Sequence, residues 1–150
     1  MNGTEKNGTG KGKILLAIDG SEASELAVKR AGQAVKITNN AFEIIVLTVI
    51  EDAVHFDQIP EVALYQEKLK RSQEIVKKAE QELTKHEVKC KTRIAIGPIA
   101  AEVVRVAEEE GANFIFIGSR GIGGIRRKLL GSTAEDIMRY AHCSVVVVRG

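Results

Sequence analysis

The stretch Ile14-Leu15-Leu16-Ala17-Ile18-Asp19-Gly20-Ser21 decides how the rest of the chain is read. Five successive apolar residues without polar alternation predict a strand covered on both faces, the habit of a parallel sheet under helices. The run then breaks into a carboxylate, a glycine and a helix-capping serine, so the strand hands over directly to a helix. Glu22 and Glu25 suit the positive end of that helix's dipole. Ala23, Ala27, Ala31 and Ala34 form a small-residue stripe suited to close packing on the sheet.

The same alternation continues to the end of the chain. Residues 43–50 (EIIVLTVI) read as a second buried strand. From residue 61 to about 85, Val62, Tyr65, Leu69, Val76, Ala79 and Leu83 recur in steps of three and four with only Ser72 polar in the series, a long amphipathic helix that packs on its own domain rather than in a coiled coil. In residues 88–96, Val88, Cys90, Thr92 and Ile94 alternate with Lys89, Lys91 and Arg93, which predicts a strand with one wet face or at a sheet edge. Gly97-Pro98 opens a third helix, with Pro98 in its first turn, Ala100, Val103, Val104 and Ala107 on its buried side and Gly111 as left-handed terminator. Residues 113–117 make a fourth strand. A last helix carries Ile137, Met138 and Ala141, and residues 144–149 form the final strand. The order β-α-β-α-β-α-β-α-β predicts one open parallel sheet with helices on both faces. Ligands of such sheets bind at the carboxyl ends of strands beside the reversal of winding; if the strands ending at Asp19 and Gly118 are neighbours there, they form one crevice.

Composition narrows the function classes. The chain has 150 residues, 44% hydrophobic and 28% charged, which suits a single globular domain. Lys and Arg number 22 against 20 Asp and Glu, and aromatics make up 4% with no Trp, which argues against nucleic-acid binding. No apolar run reaches the roughly 18 residues of a membrane span. Cys90 and Cys143 lack metal or disulfide spacing, so a cytoplasmic address is expected. Residues 1–12 read as a flexible tail ahead of a domain at 13–150; the sequons at Asn2 and Asn7 matter only in a secreted protein, and no secretory signal precedes them.

Residues 118–133, GSRGIGGIRRKLLGST, carry the chemistry. Glycines at 118, 121, 123, 124 and 131 let backbone N–H groups converge on an anion. Ser132 with Glu135 fits a capping box at the start of a helix, where exposed amides and the macrodipole favour phosphate. A surface loop with turn glycines and a plain cap explains the stretch equally well. GxxxxGK[ST] is absent, and GxGxxG is broken by Arg126 and follows the fourth strand instead of the first. Arg126, Arg127 and Lys128 suit either a triphosphate or a solvated patch.

The spacing Gly118, Gly121, Gly131-Ser132 resembles the glycine signature of the ATP-binding branch of the universal stress protein family. The likeness extends over KILLAIDGS, VLTVIE, GPIAAEVVRVAEEEGANFIFIGSRG and CSVVVVR, nearly everything after the tail. It implies an adenine nucleotide alpha hydrolase-like sheet of five parallel strands in the order 3-2-1-4-5, with a nucleotide across strands one and four. It further implies that Ala17 and Asp19 border the adenosine, that Val49 offers backbone hydrogen bonds to the adenine edge, and that Gly118 approaches the ribose. Ser119, Arg120, Gly121, Ile122, Gly123 and Gly124 would wrap the phosphates, and Gly131, Ser132, Thr133 and Ala134 would close over them. Thr133 stands where Val is usual and Ser144 where Pro is common, neither a change that undermines ATP binding.

Asp19 has a second reading as a helix-entry residue. Glu82 and His86 lie a helical turn apart without a further ligand, so no protein metal site is expected; Mg2+ enters only through the phosphates. His142 and Cys143 diverge on entering a strand and read as packing residues. Val145, Val146, Val147 and Val148, at the edge in the implied order, call for cover, and a twofold homodimer pairing these edges antiparallel supplies it; the alternative is cover by the chain's own helices over a short, tolerated edge. The expected function is an ATP-binding, nucleotide-dependent regulator or stress-response factor. A slow Mg-dependent ATPase or phosphotransferase is the alternative, for which no base or dedicated metal carboxylates beyond Asp19 are evident, and a dimeric scaffold without nucleotide is the second.

Overall fold

The apolar runs become five parallel strands: β1 (Gly12–Ala17), β2 (Phe42–Ile50), β3 (Cys90–Ile96), β4 (Phe114–Gly118) and β5 (Ser144–Val148). They lie in the order β3-β2-β1-β4-β5, as the resemblance implied, in a computed structural model that describes residues 10–51, 59–120 and 130–150. Leu15 and Leu16 are fully buried on opposite faces of β1, which is why the run carries no polar residue.

Four helices cover the two faces. α1 (Glu22–Ile37) and α2 (Ile59–Lys85) bury Ala27, Val28, Ala31, Val76, Ala79 and Leu83 against Ile14, Leu16, Ile44 and Val46. α3 (Ile99–Glu110) and α4 (Ser132–Tyr140) bury Val103, Val106, Ala107, Ala134 and Ile137 against Leu15, Ile45, Leu47 and Ile115. The winding therefore reverses between β1 and β4, which pair from Ile14↔Phe114 to Ala17↔Ile117.

Several local expectations change. Only the later half of the α2 seam is buried: Val76, Ala79 and Leu83 are inside, whereas Val62 is 43% exposed. A helix of 27 residues is about 40 Å long, and the nine-residue strand beneath it spans about 30 Å. The first turns of α2 overhang the core. In α3, Pro98 is the cap with φ −63° and ψ 129° rather than a first-turn residue, and Val106 joins the buried stripe. Gly111 terminates α3 at φ 69° as expected. β3 is an edge strand whose Ala95, expected among neither set, is buried against α3. Met138 is 50% exposed, and His142 is a surface residue whose imidazole meets the Glu108 carboxylate rather than a packing residue. Among the described residues no helix is long and apolar enough to cross a membrane.

Candidate functional site

The chain leaves β1 through a tight, fully bonded turn. Asp19 Oδ1 accepts from the Ser21 amide at 2.9 Å, and Ser21 Oγ accepts from the Ser24 amide at 3.2 Å, making Ser21 the N-cap of α1. Gly20 sits at φ +84°, a left-handed conformation that favours glycine. Ser24, 97% buried, accepts from the Gly20 amide at 3.1 Å and donates to the Ser21 carbonyl at 3.0 Å. Asp19 is thus a helix-entry residue as well as a strand-end carboxylate, and the turn holds its side chain in place.

The end of β4 is tied to this turn. Ser21 Oγ donates to the Arg120 carbonyl at 3.3 Å. Gly118 has a packing reason of its own: a Cβ there would stand 2.8 Å from the Ala23 carbonyl carbon and Cβ and 2.9 Å from the Ser24 nitrogen. The glycine admits the first turn of α1. Ser119, 2% exposed, donates its amide to the Val148 carbonyl at 2.8 Å and accepts the Gly131 amide at 2.7 Å. The start of α4 is thereby fastened between the ends of β4 and β5.

At α4 the expected capping box does not form. Gly131, extended at φ −75° and ψ 158°, is the N-cap, because its carbonyl already accepts the Glu135 amide at 3.0 Å. Ser132 is then the first helical residue, and no side chain caps Gly131. The first-turn amides and the positive helix end lie beside the ends of β4 and β5, and Ser132 and Thr133 add hydroxyls to that turn, a set of groups that favours anions. Ala134 is buried against the α3 side of the sheet.

Ala17 and Val49 lie half-buried on the α3 and α4 face. β2 outlasts β1: Leu47 pairs with Ala17, and the Leu47 carbonyl accepts the Ile18 amide at 2.9 Å. Strand alternation turns the peptide groups of Val49 the same way as those of Leu47. They border the space above the end of β1. Thr48 Oγ1 donates to the Ile18 carbonyl at 2.7 Å in the interior and holds the departing strand against β2. Thr48 and Ser24 were missed as site residues. Thr48 carried a signal, the one polar residue between Ile44 and Ile50; Ser24 carried none beyond its helical position.

Gly121, Ile122, Gly123 and Gly124, with the basic cluster at 126–128, lie outside the described residues. Among the described residues no group of three His, Cys, Asp or Glu side chains gathers to hold a metal. Cys90 and Cys143 are free thiols, with burial pushing Cys90 up to about 11, helped by the nearby Glu80 carboxylate, and raising Cys143 too.

Residues 11–149 match the model of the universal stress protein family. Universal stress protein MJ0531 of Methanocaldococcus jannaschii is 34% identical over 138 residues, covering 91% of this chain and 81% of that protein. The solved structure of hypothetical protein MJ0577 superposes with a TM-score of 0.84 at 32% identity, over 92% of this chain and 95% of that one. A universal stress protein in complex with cAMP has the same fold, with a TM-score of 0.71 at 24% identity over 91% and 96% of the two chains. So does the Archaeoglobus fulgidus protein in complex with dAMP, at 0.69 and 18% over 92% and 97%. The chain belongs to the universal stress protein family.

Proposed function

We propose that this chain is an ATP-binding universal stress protein that acts as a nucleotide-dependent regulator or stress-response factor. The observation that carries the reading is the α4 terminus, which lacks a side-chain cap and is held at the β1–β4 reversal by the 2.7 Å bond from Gly131 to Ser119. Phosphate suits its amides and hydroxyls. The Val49 peptide edge offers a donor and an acceptor to adenine, and Asp19 accepts from hydroxyls. Gly121, Ile122, Gly123 and Gly124 continue the phosphate wrap in this reading. Related structures that hold cAMP or dAMP support an adenine nucleotide as the ligand class. Mg2+ would arrive with the phosphates, and the two free thiols suit a reducing cytoplasm.

The edge position of β5, with Val145, Val146 and Val147 only half-buried, supports a twofold homodimer through antiparallel pairing of that strand.

Mass spectrometry of the purified chain is expected to reveal a bound adenine nucleotide. By calorimetry, Ser132→Ala with Thr133→Val is expected to weaken ATP by roughly tenfold, the loss of two hydroxyl hydrogen bonds, and to leave adenosine unchanged. Equal affinity for ATP and adenosine, or no binding, overturns the proposal. Phosphate release abolished by Gly121→Val would instead establish the slow ATPase, and a dimer indifferent to ATP the scaffold.

A further inference from the structure

On the face opposite Ala17 and Val49, helices α1 and α2 touch at one end and part at the other. They meet at Gly32, where a Cβ would stand 3.3 Å from Leu83 Cδ2 and 3.6 Å from His86 Cδ2. Toward the carboxyl ends of the strands they leave a groove of about 670 Å³, reaching Gly20 and Ser24. That volume lies within the roughly 300–1,000 Å³ of small-ligand sites.

The floor is aliphatic: Ile18, Val28 and Ala79 are buried, and Ile75 is half-buried beside them. No aromatic ring lines it, so it offers nothing on which a planar ligand would stack. The rim is charged. Lys78 crosses the groove to Glu25 at 2.6 Å, and Lys85 pairs with Glu82 at 3.4 Å. Two further cations, Lys29 on α1 and Arg71 on α2, meet no acidic side chain within ion-pair distance among the described residues. Against them the rim sets one remaining carboxylate, Glu74.

An aliphatic trough with an uncompensated positive rim selects a molecule with an aliphatic body and an anionic head. We infer that the α1–α2 groove binds a linear aliphatic carboxylate, its chain along Ile18, Val28, Ile75 and Ala79 and its acid group drawn to Lys29 and Arg71. Apolar burial supplies most of the affinity, and the two cations set the sign of the head group. This site is independent of the nucleotide reading, because the groove lies on the α1–α2 face and the candidate nucleotide residues Ala17 and Val49 on the other.

The test is a titration of the isotope-labelled full chain with sodium dodecanoate below its micelle concentration, followed by backbone amide NMR, with dodecyltrimethylammonium as the charge-reversed control. Saturable shifts are expected at Val28, Ile75 and Ala79 with the carboxylate and not with the ammonium. Lys29→Ala with Arg71→Ala should weaken the carboxylate by roughly fivefold to tenfold, as expected for two partly screened charges. Both side chains are exposed, and the same spectra verify that the double variant is folded. Absence of saturable shifts, equal response to both head groups, shifts centred outside the groove, or undiminished binding by the double variant overturns the inference.

Discussion

Gly118→Ala separates two explanations of a glycine at the heart of the candidate site. If the residue is small so that a ligand can approach, alanine costs nucleotide affinity and leaves stability alone. The structure points instead to the first turn of α1: the added methyl would lie 2.8 Å from two atoms of Ala23 and 2.9 Å from the Ser24 nitrogen. That is about 0.6 Å inside ordinary van der Waals contact. Two of the three atoms are backbone, so no rotamer change relieves the clash, and either α1 or the end of β4 must shift. Overpacking of this kind costs about 1–3 kcal/mol, which for a chain of this size is a fall in Tm of roughly 3–10 °C. Urea unfolding of the nucleotide-free chain, followed by circular dichroism and analysed as two-state, measures it. Ala23→Gly should restore only part of the loss, because it removes one of the three contacts. A Gly118→Ala chain as stable as the parent, within about 0.5 kcal/mol, would refute the packing argument and return the glycine to the ligand.

Other outcomes follow from single bonds and charges. Thr48→Val removes the 2.7 Å donor to the buried Ile18 carbonyl, and urea midpoints should report a loss of about 1–2 kcal/mol. Alkylation of Cys90, measured in a Cys143→Ala background, should reach half its maximal rate near pH 11 instead of 9.0. Because folding raises this pKa, the contribution of Cys90 is fully present below pH 9 and is lost as pH rises from there through 11; Cys90→Ala should remove that alkaline slope from the unfolding curve. Burial raises the Glu110 pKa, but hydrogen bonds from Lys91 and Arg93 at 3.0 and 2.8 Å outweigh it, so the carboxyl titrates below 4.5. Its stabilisation is present above pH 4.5 and fades as pH falls through the depressed value. Glu110→Gln is expected to cost about 1–2 kcal/mol at pH 7, and a series of thermal unfolding curves below pH 4.5 should show that cost shrinking as the pH falls.

The succession of strands and helices, the helix-capping role of Ser21, the αL glycine at 111 and the strand-end positions of Asp19 and Gly118 were all legible in the sequence. These features depend on side-chain periodicity and on torsions within a few residues, which the chain carries locally. Tertiary structure alone decided the rest. Periodicity left β1 and β4 as neighbours only conditionally, and the bond between Ser21 and Arg120, 99 residues apart, belongs to the folded sheet. Gly131, not Ser132, caps α4 because its position is set by a bond to Ser119 across the loop, and the early part of the α2 seam is left incompletely buried because the sheet beneath it is shorter than the helix. A Cβ at Gly118 would meet Ala23, a residue 95 positions earlier. In each case the deciding partner is distant in the chain, so no local pattern records it.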